Sequence, residues 1–307
     1  MATTTSITTT YAGEKMAGFI SAALLSANSL DRGGMEVKAN IKYKQVIKTF
    51  VTDDLVADGS CDFADTSTVT LGERYLEPKE FQVNLALCKK DFRSDWDAIS
   101  MGMSAHDNLP PSFQDYLVGY VAAKVAEKIE NTVWKGADGA GSFDGMNALA
   151  TADANVIDVT GVSAAAGGLT ALNIIDELGK VVDSIPQTIY GREDLYIYIS
   201  QKAYRAYVRA LGALGFVDRF NNQDLGSLVF DGVKLFVANG QEDDTMLCAQ
   251  SSNLYFGTGL MNDATNEVKV LDMADLDGSQ NVRIIMRYTA TVNFGIGSEI
   301  VLYTPQA

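Results

Sequence analysis

A catalytic reading of this sequence has few residues to start from. His106 is the single histidine, and a Ser-His-Asp or Cys-His unit would need it. It sits in the segment SAHDNLPP and reads as a solvated loop histidine. One histidine also excludes a His-rich metal site. Cys61, Cys88 and Cys248 are odd in number, widely spaced and without a CxxC pair. Neither a disulfide framework nor a zinc site is expected from them, only buried or idle thiols in a reducing compartment.

The glycine clusters fail as phosphate cradles. GADGAG (Gly136 to Gly141) has the wrong order for GxGxxG, FGTGL and FGIGS lack a third glycine, and no GxxxxGK[ST] occurs. GVSAA around Ser163 lacks the closing glycine of a nucleophile elbow. Read as a calcium loop, the Asp275-Leu276-Asp277-Gly278 segment would put Met273 at the first ligand and Ile284 at the twelfth, so it is a turn. The acidic run with Asp53, Asp54, Asp58, Asp62 and Asp65 could hold a divalent ion, but a solvated hairpin tip is the preferred reading. No catalytic residue, metal ligand set or cofactor fingerprint emerges, so no enzyme activity is expected.

Composition narrows the partners. With 24 basic and 39 acidic residues the chain carries −15, a surface that repels nucleic acid. If it meets DNA, it encloses it without sequence-specific binding. The 307 residues are 47% hydrophobic, enough for a sizeable core, yet no apolar run is long enough to expect a membrane span. Met16 to Leu25 resembles a signal-peptide core, but Glu14 and the uncharged Thr-rich tract before it argue for a short docking helix over 13–29.

The elements follow from periodicity. Residues 1–12 are Thr-rich and cannot build a core, so they form an arm. Over 35–51 the pattern has period two, with Met35, Val37, Ala39, Ile41 and Tyr43 on one face and Lys38, Lys42 and Lys44 on the other. A second strand is expected near Ser67 to Glu73, and a third carries Phe81, Val83, Leu85 and Leu87. Together they predict a long hairpin projecting from the body. After Pro110 and Pro111 a helix is expected over 112–135, roughly 35 Å long, with Lys124, Glu127, Lys128, Asn131 and Lys135 as its polar stripe. Helix and strand then alternate: Leu172, Ile175, Leu178, Val182 and Ile185 mark one helix face. Ser200 caps another helix, with Tyr204, Tyr207, Val208, Leu211 and Leu214 inward. Long strands over 282–294 and 298–303 close a mixed α+β fold.

Three segments carry a resemblance to a known family. EPKEFQVNLALCKKDFRSDW (Glu77 to Trp96), REDLYIYISQKAYRAYVRAL (Arg192 to Leu211) and NVRIIMRYTATVNFGIGSEIVLYT (Asn281 to Thr304) occur in the order and spacing of tailed-phage major capsid proteins of the Hong Kong 97-type fold. SSNLYFGTGLMNDATNEVKVLD (Ser251 to Asp272) lies between them. The first segment is most similar to capsid proteins of crAss-like phages, whose chains are longer.

The resemblance implies an N-terminal arm (1–30), an extended loop (31–78), a peripheral domain (79–164) with its spine helix (112–135), an axial domain (165–275) and returning peripheral strands (276–307). It implies a homo-oligomeric icosahedral shell of hexamers and pentamers around double-stranded DNA, in the virion, assembled in the host bacterial cytoplasm with portal and scaffolding proteins. With only some thirty residues before the loop, a fused scaffolding segment is not expected. Some relatives cross-link a loop lysine to a neighbour's asparagine, but no partner for Lys38, Lys42, Lys44 or Lys48 can be aligned.

The inter-subunit contacts expected are Met35, Val37, Lys38, Ile41, Lys42, Tyr43, Lys44, Lys48, Asp53, Asp54, Val69, Leu71, Lys124 and Lys128. An encapsulin-like nanocompartment is the alternative on the same fold. A secreted adhesin or surface-layer protein has only the Thr-rich start and the acidity in its favour.

Overall fold

The structure is a computed structural model describing residues 28–41, 43–52, 56, 58, 68–88, 111–163, 167–215, 229–259, 269–274 and 278–306. The Thr-rich arm, Lys42, Asp53, Asp54, Cys61, His106 and Asp275 to Asp277 lie outside them.

The longest strand, β12 (Asn281–Phe294), frames a five-stranded sheet. Its Val282, Ile284, Met286, Ala290, Val292 and Phe294 are buried on one side, with Tyr288 half-buried between Met286 and Ala290. On one edge it pairs with β10 (Leu254–Gly257) and β11 (Lys269–Asp272), and on the other with β4 (Lys79–Cys88), antiparallel throughout. The short β1 (Glu36–Lys38) extends the sheet parallel to β10. The long helix α2 (Pro111–Lys135) lays Val121 and Val125 on Val282, Ile284 and Met286, flanked by Val83, Leu85 and Leu87 of β4. Gly136 follows its last turn at a position where a Cβ would strike the Thr132 and Phe143 carbonyl oxygens.

The second sheet has six strands in the order β5 (Ile157–Gly161), β13 (Val301–Pro305), β9 (Met246–Gln250), β6 (Leu195–Ile199), β8 (Val233–Val237) and β7 (Val229–Phe230). Helices α4 (Ile174–Asp183) and α5 (Gln201–Ala213) cover one face, packing Ile174, Leu178, Tyr204 and Tyr207 against Ile197, Ile199, Val301 and Tyr303. The Ser200 hydroxyl caps α5 by accepting from the Ala203 N–H at 3.2 Å. The other face brings Tyr198 and Leu302 against Trp134, Phe256, Val292 and Phe294, so a second core joins both sheets, the end of α2 and the short helix α3 (Met146–Ala152).

Four expectations change. The strand expected over 35–51 is broken: Asn40 takes a positive φ of 64° and turns the chain between β1 and β2 (Gln45–Thr52). The 276–307 segment does not stay in one sheet, because β13 inserts between β5 and β9 while β12 belongs to the other sheet. Leu172 precedes the first turn of α4 and is 95% exposed. Leu214 is the C-cap of α5, past its last inward turn, and is also exposed.

Candidate assembly surface

Strand β2 pairs with β3 (Val69–Leu76) in a two-stranded antiparallel ribbon, in register from Gln45↔Leu76 to Thr52↔Val69. Partners directly opposite share a face. One face turns to the body. Leu76 is fully buried, and Arg74 forms an ion pair with Asp153 while its guanidinium stacks 4.3 Å from the Phe294 ring centroid. Burial opposes ionisation of Asp153, but the bonds from Arg74 and Asn155 win and hold its carboxyl below the usual range. Gly72 lies opposite Thr49, where a Cβ would strike the threonine hydroxyl.

Among the described residues the other face has no cover. It presents Val46 with Tyr75, Lys48 with Glu73, and Phe50 with Leu71, ending in Val69. Phe50 is 65% and Leu71 70% exposed, and Val46, Val69 and Tyr75 are also open. Large apolar side chains gathered on one exposed ribbon make this face a candidate interaction surface, since a two-stranded ribbon gains little stability by itself.

The expected contact residues divide around this ribbon. Val69, Leu71 and Lys48 lie on its open face, and Tyr43 is 76% exposed beside it. The Lys44 ammonium sits 3.8 Å from the Tyr75 ring centroid and 3.8 Å from the Glu77 carboxylate. Lys38 pairs with Glu36 at 2.5 Å and lies over Tyr255. Met35 and Ile41 are corrected: both are buried in their own subunit and cannot be contacts of an open loop. The cause is the pairing of 38–41 with the end of β10, through Thr258 N–H to Lys38 O (3.0 Å) and Ile41 N–H to Thr258 O (3.1 Å). Gly257 leaves the space that the Ile41 and Leu76 side chains fill. Val37 is half-buried against the same core as Met35.

Val46, Phe50 and Tyr75 are the residues that sequence reading missed. No parity signal pointed to them: apolar residues fall on both faces of this strand, at Val46 and Phe50 on one and at Ile47 and Val51 on the other.

A second open feature is a groove of about 580 Å³ between β4 and α2, lined by Phe81, Val83, Leu85, Tyr120, Val121 and Val125. Lys124 and Lys128 stand on its rim, Lys124 paired with Glu127 at 2.8 Å. No group of three or more metal-ligating side chains occurs among the described residues, and no helix among them is long and apolar enough to cross a membrane. Cys248 is buried in the six-stranded sheet, which pushes its thiol up to about 12.

No protein-family model matches the chain, and no curated protein matches it. Solved structures do. The chain is similar to one in the capsid of a native GTA particle, at 14% identity over 96% of this chain and 95% of that one, with a TM-score of 0.69. It is similar to a chain of Mycobacterium phage Cain (16% identity, 94% and 93% covered, TM-score 0.60). A third is a chain of the capsid of cyanophage P-SCSP1u (11% identity, 97% and 92% covered, TM-score 0.55). At these identities the likeness is one of fold, and it runs nearly the full length of each chain.

Proposed function

We propose that this chain is the major capsid protein of a tailed bacteriophage, a structural subunit that assembles into an icosahedral shell. The observation that carries this is the full-length likeness of fold to chains of assembled capsids. The capsids among those relatives favour a genome-enclosing shell over an enzyme-enclosing one.

In this reading the fold is of the Hong Kong 97 type. The β2–β3 ribbon is the extended loop, α2 the spine helix, the five-stranded sheet the peripheral domain, and the six-stranded sheet with α4 and α5 the axial domain. The open ribbon face of Val46, Phe50, Val69, Leu71 and Tyr75 lies on a neighbour, with the β4–α2 groove as its seat. Apolar residues of the groove meet apolar residues of the ribbon, and Lys124 and Lys128 on the rim suit the acidic run from Asp53 to Asp65. Hexamers and pentamers, a separate scaffolding protein, a portal, assembly in the host cytoplasm and enclosed double-stranded DNA complete the proposal.

Negative-stain electron microscopy of the purified protein tests it. Closed shells are expected, with DNA inside when they are taken from infected cells. Monomers alone, under every scaffold and salt condition tried, would overturn it.

A further inference from the structure

A different surface is concerned here, and its role rests on the shell reading. Lys202, Arg205 and Arg209 stand on one face of α5 and, with Leu169, Thr170 and Ala171, line a cleft of about 390 Å³. Lys202 is already neutralised, since it donates to both carboxylate oxygens of Asp244 at 2.8 Å. Asp244 also accepts from the Leu169 N–H at 2.7 Å, so this pair holds the cleft wall in place.

The two arginines are different. Arg205 donates from Nε to the Gln201 carbonyl one turn earlier, at 3.2 Å. Among the described residues no carboxylate forms an ion pair with Arg205 or with Arg209, and both are exposed. Leu172, 95% exposed, directly follows the cleft residue Ala171. In a chain with 39 acidic and 24 basic residues, an open pair of guanidinium groups beside a bare leucine is a local exception to the overall charge.

We infer that this face of α5 is the seat for an acidic segment of a second copy of the chain. Charge complementarity selects that occupant. Subunits arranged in a ring meet through two different patches, so an acidic chain closes a ring best when one patch is basic and the other acidic. Exposed acids are available in the same part of the fold at Asp176, Asp183, Glu242 and Asp243. A DNA duplex is the poorer occupant, because it needs a stripe of many cations, and these guanidinium groups span about one helical turn.

Two variants test the inference. Arg205→Lys with Arg209→Lys keeps the charge and supplies amines that a carbodiimide joins to a touching carboxylate. In particles assembled from mixed heavy-isotope and ordinary subunits, cross-linked peptides joining residue 205 or 209 to an acid of another copy are expected. They should be absent from disassembled subunits. Arg205→Glu with Arg209→Glu should keep the wild-type melting curve and lower the particle yield at least about tenfold, because like charges then face each other across the joint.

Assembled particles without those cross-links, or with cross-links only inside one copy, would overturn the inference. So would charge-reversed subunits that assemble at wild-type yield. Particles formed normally but depleted of DNA would assign the face to nucleic acid and equally overturn it. A wild-type chain that forms no particle removes the shell reading first, and this inference with it.

Discussion

Glu130 is a carboxylate that helix periodicity does not single out, and it is fully buried on α2. It accepts from the Ser29 hydroxyl at 2.5 Å, the Ser29 N–H at 3.2 Å and the Gly240 N–H at 3.4 Å. The Trp134 indole donates to the same Ser29 oxygen at 2.7 Å, so the short turn Asn28–Asp31 is latched to the long helix. Gly240 can carry no side chain, because a Cβ would strike the Glu130 backbone. Burial pushes the Glu130 carboxyl above its usual range, and the three donors restrain the rise. A raised folded pKa means the native state holds this proton more tightly than the unfolded chain. Its contribution is full below the ordinary carboxylate pKa and is lost as pH rises through the folded value. Glu130→Gln should therefore flatten that part of the stability curve. Denaturant midpoints of both proteins between about pH 4 and about pH 8 check this, and a constant gap between them at every pH would disprove it. Glu130→Ala, which strips the Ser29 donors of their acceptor, should cost about 2 kcal/mol at the low-pH end of the same assay, with the gap narrowing as pH rises.

At the scale of the element, the ribbon separates fold from assembly. Ile41 lies in the subunit interior, and a buried unpaired carboxylate there cannot be solvated. Ile41→Asp should lower the melting temperature of the monomer itself. Phe50→Asp and Leu71→Asp place charge on an already open face, so circular dichroism melting should be nearly unchanged. Assembly should fail instead, since burial of each side chain on a neighbour is worth roughly 1.5 to 3 kcal/mol and recurs at every subunit. Sedimentation of the three variants beside their melting curves decides the matter. If Phe50→Asp unfolds the monomer, or assembles normally, the ribbon face is not a clamp. The direction of the ribbon rests on Arg74, whose guanidinium serves both Asp153 and the Phe294 ring.

For the whole molecule, charge opposes association. Each subunit carries −15, and like-charged subunits repel over a Debye length of about 10 Å at 0.1 M salt. In the proposed shell, attraction between copies must come from apolar burial and strand contacts, with ion pairs such as those inferred for α5 setting placement more than affinity. Shells should then survive, or strengthen, as salt rises from about 0.1 M to about 1 M. Light scattering across that range checks it, and disassembly at high salt would mean that ion pairs dominate.

Periodicity along the chain was enough to read many of the elements: the alternation in β4, the long strand β12, the helix ending at Lys135 before Gly136, and the Ser200 cap. These patterns are local, set by which side of a strand or helix meets apolar surroundings. The sequence also sufficed for the charge, and for the order of segments that pointed to a capsid fold. Partnership between distant segments was beyond it. Only the tertiary structure placed β13 between β5 and β9, drew Met35 and Ile41 inward against β10, and left Val46, Phe50 and Tyr75 open. One kink at Asn40 changes which side of the following strand faces out. Period two specifies that two faces exist, and only packing decides which of them meets the core.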